Sequence, residues 1–193
     1  MAHRNRLAMA LAATAAIAVL TGCASAANPH PAAAVTEPVA VTANFSGMGV
    51  AFHYPADWRS GTWDDVSSFS ALIVYLSTGQ LHSPCTVSKE PGRTCGNPIR
   101  ALAPGGVLVR WSENGLPNWH QPKPNTSIDG HPATETRSTE AWCTAMQGTE
   151  TITVVIPRLL ADNWYEMDAC LRGPAQAAAI STMLKTVHIN DAY

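Results

Sequence analysis

Charge is what this 193-residue chain has least of: charged residues make up 13% against 46% hydrophobic, with a formal net charge of −2. Part of the skew comes from an Ala-rich leader. Setting aside Arg4 and Arg6, the only Lys or Arg among the first 22 positions, leaves ten basic residues against 14 acidic ones, a net of −4. Scattered cations on a mildly acidic chain lack the electrostatic footprint of a nucleic-acid binder. No polybasic cluster is present to add affinity for anionic lipid. Long apolar runs are missing too. Leu7–Leu20 is uncharged, but its 14 residues fall short of the roughly 20 needed to cross a bilayer. The length allows one ordinary domain.

Catalytic signatures are equally scarce. There is no G-x-S-x-G, S-x-x-K or H-G-G-G for nucleophilic serine chemistry. His53, His82, His120, His131 and His188 are isolated, with no i, i+4 or H-x-H spacing for a metal hydrolase. Pro104-Gly105-Gly106 lacks the Lys and helix of a phosphate loop. Asp64-Asp65 is the one acidic pair resembling half of a glycosidase site, and after Gly61-Thr62-Trp63 it reads as a turn and helix cap. No catalytic residue, metal or cofactor is expected.

What is present begins at the N-terminus. A basic segment, Met1–Arg6, precedes the uncharged stretch, which ends Leu20-Thr21-Gly22-Cys23. This resembles the bacterial lipobox, in which small residues precede a Cys that is thioether-linked to diacylglycerol. The leader is then cut before the Cys, and the new amine is usually acylated by a chain such as palmitate. The resemblance implies a signal peptide at 1–22, lipid on Cys23, and a cell-membrane lipoprotein on the extracytoplasmic face. The alternative is a plain secretory peptide cut after Ala24-Ser25-Ala26. Arg4-Asn5-Arg6 is not a twin-arginine pair, which favours the general secretory route.

Residues 23–43 comprise that Cys and an Ala- and Pro-rich stretch with one charge, Glu37. Pro29, Pro31 and Pro38 exclude a helix, and a tether is expected. Val39–Val41 could alternatively form a docked strand. A single globular domain is expected over 44–189, followed by a tail at 190–193.

Within it, Gly49–Tyr54 alternates and stops at Pro55, predicting a strand. Further strands are predicted around Ala71–Leu76, Gly106–Trp111, Pro132–Trp142, Thr149–Ile156 and Trp164–Leu171. Ile128-Asp129-Gly130 predicts a hairpin turn. Gly173-Pro174 opens a helix whose Ala178, Ile180, Met183, Leu184 and Val187 share one face. The pattern predicts an α+β fold, an antiparallel sheet covered by helices including a C-terminal one.

Gly49-Val50-x-Phe52-x-Tyr54-Pro55-x-x-Trp58, the Ile128-Asp129-Gly130-x-Pro132 turn and the closing Met183-Leu184-x-Thr186-Val187 resemble PsbP-like domains, over most of residues 45–189. The resemblance implies an α-β-α sandwich. Superfamily members are largely binding modules, serving as extrinsic photosystem subunits or partners of a nuclear transport GTPase. No functional residue of either group is matched, so fold alone is carried over.

Beyond Cys23, four cysteines in an exported chain imply two disulfides. Of three possible pairings, Cys85–Cys95 and Cys143–Cys170 are expected. The first closes a loop crowded with Pro and Gly. The second joins a strand end to a later strand, with Cys143 leaning across from the turn. Spacings of 10, 48 and 27 contain no C-x-x-C, which argues against zinc.

Glu113–Ser127 is long, polar and Pro-rich, and carries Trp119 beside His120. An exposed Trp there would stack on a sugar or anchor a protein. A buried one would pin the loop to the sheet edge. Trp119 and His120 are therefore the candidate partner contact, and with Trp111 and Trp142 they would line an aromatic groove. Trp58, Trp111, Trp142 and Trp164, at strand ends or on strands, read first as core packing; the groove requires Trp111 and Trp142 to share the face of Trp119. The expected function is a non-catalytic binding or accessory module with an unknown protein or cell-wall partner. A small envelope enzyme acting on glycans and a carrier of an apolar ligand are the alternatives.

Overall fold

Alternating and β-branched stretches become strands. The computed structural model describes residues 41–63, 69–86, 94–158 and 162–192. The expected leader, Cys23, most of the tether and Asp64-Asp65 lie outside these. The first strands are β1 (Thr42–Gly47), β2 (Val50–Pro55), β3 (Arg59–Gly61), β4 (Ser70–Ser77), β5 (Cys85–Thr86) and β6 (Thr94–Cys95). Then come β7 (Val107–Gly115), β8 (Thr126–Ile128), β9 (His131–Ser138), a short helix α1 (Ala141–Ala145), β10 (Glu150–Pro157) and β11 (Asn163–Leu171). A 3₁₀ turn at Pro174–Gln176 leads into α2 (Ala177–Leu184), and β12 (His188–Ile189) follows.

Seven strands form one antiparallel sheet in the order β3-β4-β7-β11-β10-β9-β8, and β1-β2-β12 form a smaller one. The fold is α+β and dominated by antiparallel sheet. Disulfides join Cys85 to Cys95 and Cys143 to Cys170, the pairing expected from the sequence. The hairpin between β8 and β9 turns on Asp129 (φ 49°) and Gly130 (φ 80°), the two left-handed residues that a tight turn needs.

The core lies on one face of the main sheet. Val109 and Trp111 of β7, Ile152 and Val154 of β10, and Tyr165 and Met167 of β11 pack there against β2 and α2. Phe52 stacks on Trp111 and on Phe45, with ring centroids 5.2 Å apart in each pair. Burying side chains of this size contributes roughly 1.5–3 kcal/mol each. A smaller cluster covers one end of the opposite face: Tyr75, Ile99, Leu102, Leu108, Met146 and the Cys143–Cys170 bridge.

Several boundaries differ from expectation. The strand predicted to reach Trp142 stops at Ser138, and Trp142 lies on α1. The helix that replaces the strand end puts Cys143 where it meets Cys170. β7 continues to Gly115, so the loop predicted from Glu113 starts three residues later. Pairing with β11 holds that extension, and Glu113 accepts hydrogen bonds from Arg158 and Asn163. On α2, Ile180, Met183 and Leu184 are buried as expected, but Ala178 is exposed. Ala177 and Ala179 pack on the core instead, and Val187 is buried beyond the helix end.

Candidate functional site

The face of the main sheet opposite the core is only partly covered, and β-sheet register decides what stands on it. Side chains directly opposite one another on neighbouring strands share a face. Tyr75 on β4 is partnered by Arg110 on β7, Arg110 by Asp168 on β11, Asp168 by Thr153 on β10, and Thr153 by Thr136 on β9. The result is a polar row across five strands. Two residues further along the strands, Ser112 pairs with Glu166, and two beyond that, Asn114 pairs with Trp164.

Asp168 anchors the row. Its side chain is 7% exposed, and it accepts hydrogen bonds from Arg110 Nη2 (2.5 Å) and from the Thr153 hydroxyl (2.7 Å). Arg110 is 43% exposed, with its guanidinium 6.0 Å from the centre of the Trp142 ring. Glu166 accepts from the Trp164 indole at 3.0 Å, while its other oxygen stands 3.9 Å from Arg110 Nη2. That gap is within electrostatic attraction but beyond a direct hydrogen bond.

These contacts set the charge states. Burial opposes the Arg110 charge, but the Asp168 carboxylate, with Tyr75 and Glu166, leaves its pKa above the ordinary value. Burial raises the Glu166 carboxyl first, and the neighbouring Asp168 raises it further. The Trp164 indole and Arg110 oppose that shift without cancelling it. The site therefore combines one fixed cation, one pinned carboxylate and one carboxyl that takes up a proton more readily than usual.

The expected site residues fall as follows. Trp119 is half-buried and lies flat on Trp164, with ring centroids 4.3 Å apart and planes 10° apart. Its loop is held down. The Thr134 hydroxyl is shared between the carbonyls of Pro122 (3.2 Å) and Lys123 (3.3 Å). The Asn125 amide pairs with both backbone groups of Glu135 at 2.8 Å, standing in for a strand residue. His120 is exposed beside this loop. Trp142 and Trp119 stand over the open face, but Trp111 points into the core on the opposite face. The three do not form one groove, because Trp111 falls out of phase with Arg110 on β7. Two histidines that look isolated in sequence have partners: His131 faces Asp191 at 3.6 Å, and His188 faces Asp129 at 3.0 Å.

Sequence reasoning did not single out Arg110, Glu166 or Asp168. The available signal was charge at period-two positions inside otherwise apolar strands, Val107–Trp111 and Trp164–Leu171. Among the described residues no group of three or more His, Cys, Asp or Glu is arranged to hold a metal ion. An open cleft of about 590 Å³ lies where β4, β7 and β11 meet their adjoining loops, bordered by Phe69, Asn114, Leu116 and Asn163. No helix of the described residues is long and apolar enough to cross a membrane. No known protein family, curated protein or solved structure matches the chain.

Proposed function

We propose that this protein is a lipid-anchored extracytoplasmic binding module, held at the cell membrane through Cys23, that presents the open face of its main sheet to a partner. The observation that carries the reading is the charge arrangement on that face. Arg110 is half-exposed, yet it is oriented by Asp168, itself held by the Thr153 hydroxyl, and placed beside Trp142. A side chain ordered in advance loses little further entropy when it engages a ligand. The Leu20-Thr21-Gly22-Cys23 sequence and two disulfides support placement outside the cytoplasm. A PsbP-like relationship is part of the proposal. Its support is the chain order: the Gly49–Trp58 segment lies in the first hairpin and just beyond it, the Asp129-Gly130 turn follows in the middle, and α2 comes near the end, before β12.

A glycan-cleaving enzyme is the second reading, favoured by the raised Glu166 carboxyl beside Asp168. Two features oppose it. Asp168 is already bound by Arg110 and Thr153. The two carboxyls are also close enough for a hydrogen bond between them to contribute to the shift, whereas glycosidase pairs stand roughly 5–9.5 Å apart.

Two measurements test the proposal. Intact-mass analysis of the membrane-extracted protein should find a diacylglyceryl group on an N-terminal Cys23, and Cys23→Ala should move the protein out of the membrane fraction. Pull-downs from native membranes should lose their specific partner with Arg110→Ala. Recovery of the same partner at the same yield would exclude the open face as the binding surface.

A further inference from the structure

Resting on that reading of the open face, we propose that its ligand is a neutral, polyhydroxylated molecule, a short oligosaccharide of the cell envelope, whose hydroxyls bridge Arg110 and Glu166. The geometry of the charged groups narrows the ligand class. Arg110 Nη2 and a Glu166 oxygen face each other across 3.9 Å, a donor beside an acceptor with no hydrogen bond closing the gap. A hydroxyl is the small neutral group that serves both, accepting from the guanidinium and donating to the carboxylate. A ligand anion would meet Arg110 but be repelled by Glu166 and Asp168. A ligand cation would meet the carboxylates but be repelled by Arg110, which is already shared between them. The cluster thus selects against charge of either sign, while Glu166, 24% exposed, and Arg110, 43% exposed, remain within reach of a ligand hydroxyl.

The surroundings fit a sugar. Trp142 lies beside the guanidinium, and the Trp164–Trp119 stack begins at the residue whose indole holds Glu166. Along β11, Asp168 and Trp164 are four residues apart, or about 13 Å at ~3.3 Å per residue. Trp142 beside Arg110 and the Trp164–Trp119 stack beside Glu166 therefore flank the hydrogen-bonding groups on two sides. Indole faces are suited to the apolar C–H faces of pyranose rings, and the polar row receives the hydroxyls. Thr153 and Asp168 act as positioning residues, because both oxygens of Asp168 are engaged within the protein.

The test is calorimetric titration of the mature lipidated protein, beginning at Cys23, in nanodiscs. The probes are neutral tetramers of N-acetylglucosamine, glucose, mannose and arabinose, with glucosamine and galacturonate tetramers as the cationic and anionic comparators. At least one neutral tetramer should bind, and the charged tetramers at least tenfold more weakly. Arg110→Ala and Glu166→Ala should each weaken that binding tenfold or more. Glu166→Ala leaves the Arg110–Asp168 pair in place, so it reports on the site even if Arg110→Ala fails to fold. Tightest binding by the anionic or cationic tetramer would overturn the proposal. So would binding of the neutral tetramer that is unchanged in Glu166→Ala. If no tetramer binds while Arg110→Ala still loses the membrane partner, the ligand class is wrong and the binding face stands. If neither response is seen, both fall.

Discussion

Gly148 follows α1, and a methyl group there would have nowhere to go. A Cβ added at this position would sit 2.2 Å from Cys143 Sγ, 2.3 Å from Cys170 Sγ and 2.9 Å from the Cys143 carbonyl oxygen. The backbone at Gly148 is not left-handed, so the effect of Gly148→Ala is steric alone. The sulfurs are bonded to each other and anchored at both ends, on α1 and in the centre of the sheet, so neither can yield freely. Two outcomes are open to the variant. If the bridge survives, overpacking costs about 1–3 kcal/mol. If the bridge opens, the chain loses the constraint on a loop spanning 27 residues, worth about 3.5 kcal/mol on the chain-entropy account. The expected loss is therefore about 1–3.5 kcal/mol, read as the shift in urea midpoint, with thiol titration distinguishing the two routes. The control is the same substitution in a Cys143→Ala/Cys170→Ala background. With the sulfurs gone only the contact with the Cys143 carbonyl remains, so Gly148→Ala should cost clearly less than in the wild-type background, and the difference is its coupling to the bridge. Equal costs in the two backgrounds would refute the steric argument.

Trp119→Ala should cost only about 1–2 kcal/mol, the loss of one stacked ring pair and its partial burial; a loss of several kcal/mol in chemical denaturation would make Trp119 a core residue and remove it from any binding surface. Ser77 is fully buried, and its hydroxyl donates to the Val107 carbonyl at 2.7 Å and accepts from the Gly79 amide at 3.0 Å. Ser77→Ala should therefore destabilise the protein by roughly 1–3 kcal/mol, and a neutral change in thermal midpoint would contradict that bonding. Glu166 is held above its ordinary value of 4.5 in the folded state, so the folded protein takes up this proton more readily than the unfolded chain. Its contribution is most favourable below that value and is lost as pH rises through the raised folded value. Glu166→Gln should gain stability relative to wild type as pH increases across that window; a pH-independent difference between the two denaturation curves would show that Glu166 titrates as it does when unfolded.

Local chemistry made part of this protein legible in one dimension. Alternation and β-branching marked the strands that became β2, β4, β7, β10 and β11, and Asp129-Gly130 marked its turn because few other pairs tolerate two left-handed residues. The oxidising context expected from Cys23 and the Pro- and Gly-crowded loop led to the Cys85–Cys95 pairing. The short strands β3, β8 and β12 were not legible, because segments of two or three residues carry no periodicity and exist only through their neighbours. The same limit hid the candidate site. Arg110 and Asp168 lie 58 residues apart, and Thr153 and Asp168 15 apart. Nothing in their local sequence says that they meet.

What the sequence determined by itself is therefore the α+β composition of the domain and its principal strands, and it narrowed the thiol pairs to three choices with one favoured, because each depends on near neighbours or on a short list of partners. Only the tertiary structure decided which face of each strand looks outward and which charges stand side by side there. Register acts between strands distant in the chain, and a slip of one residue would have sent Arg110, Glu166 and Asp168 into the core and Trp111 into solvent.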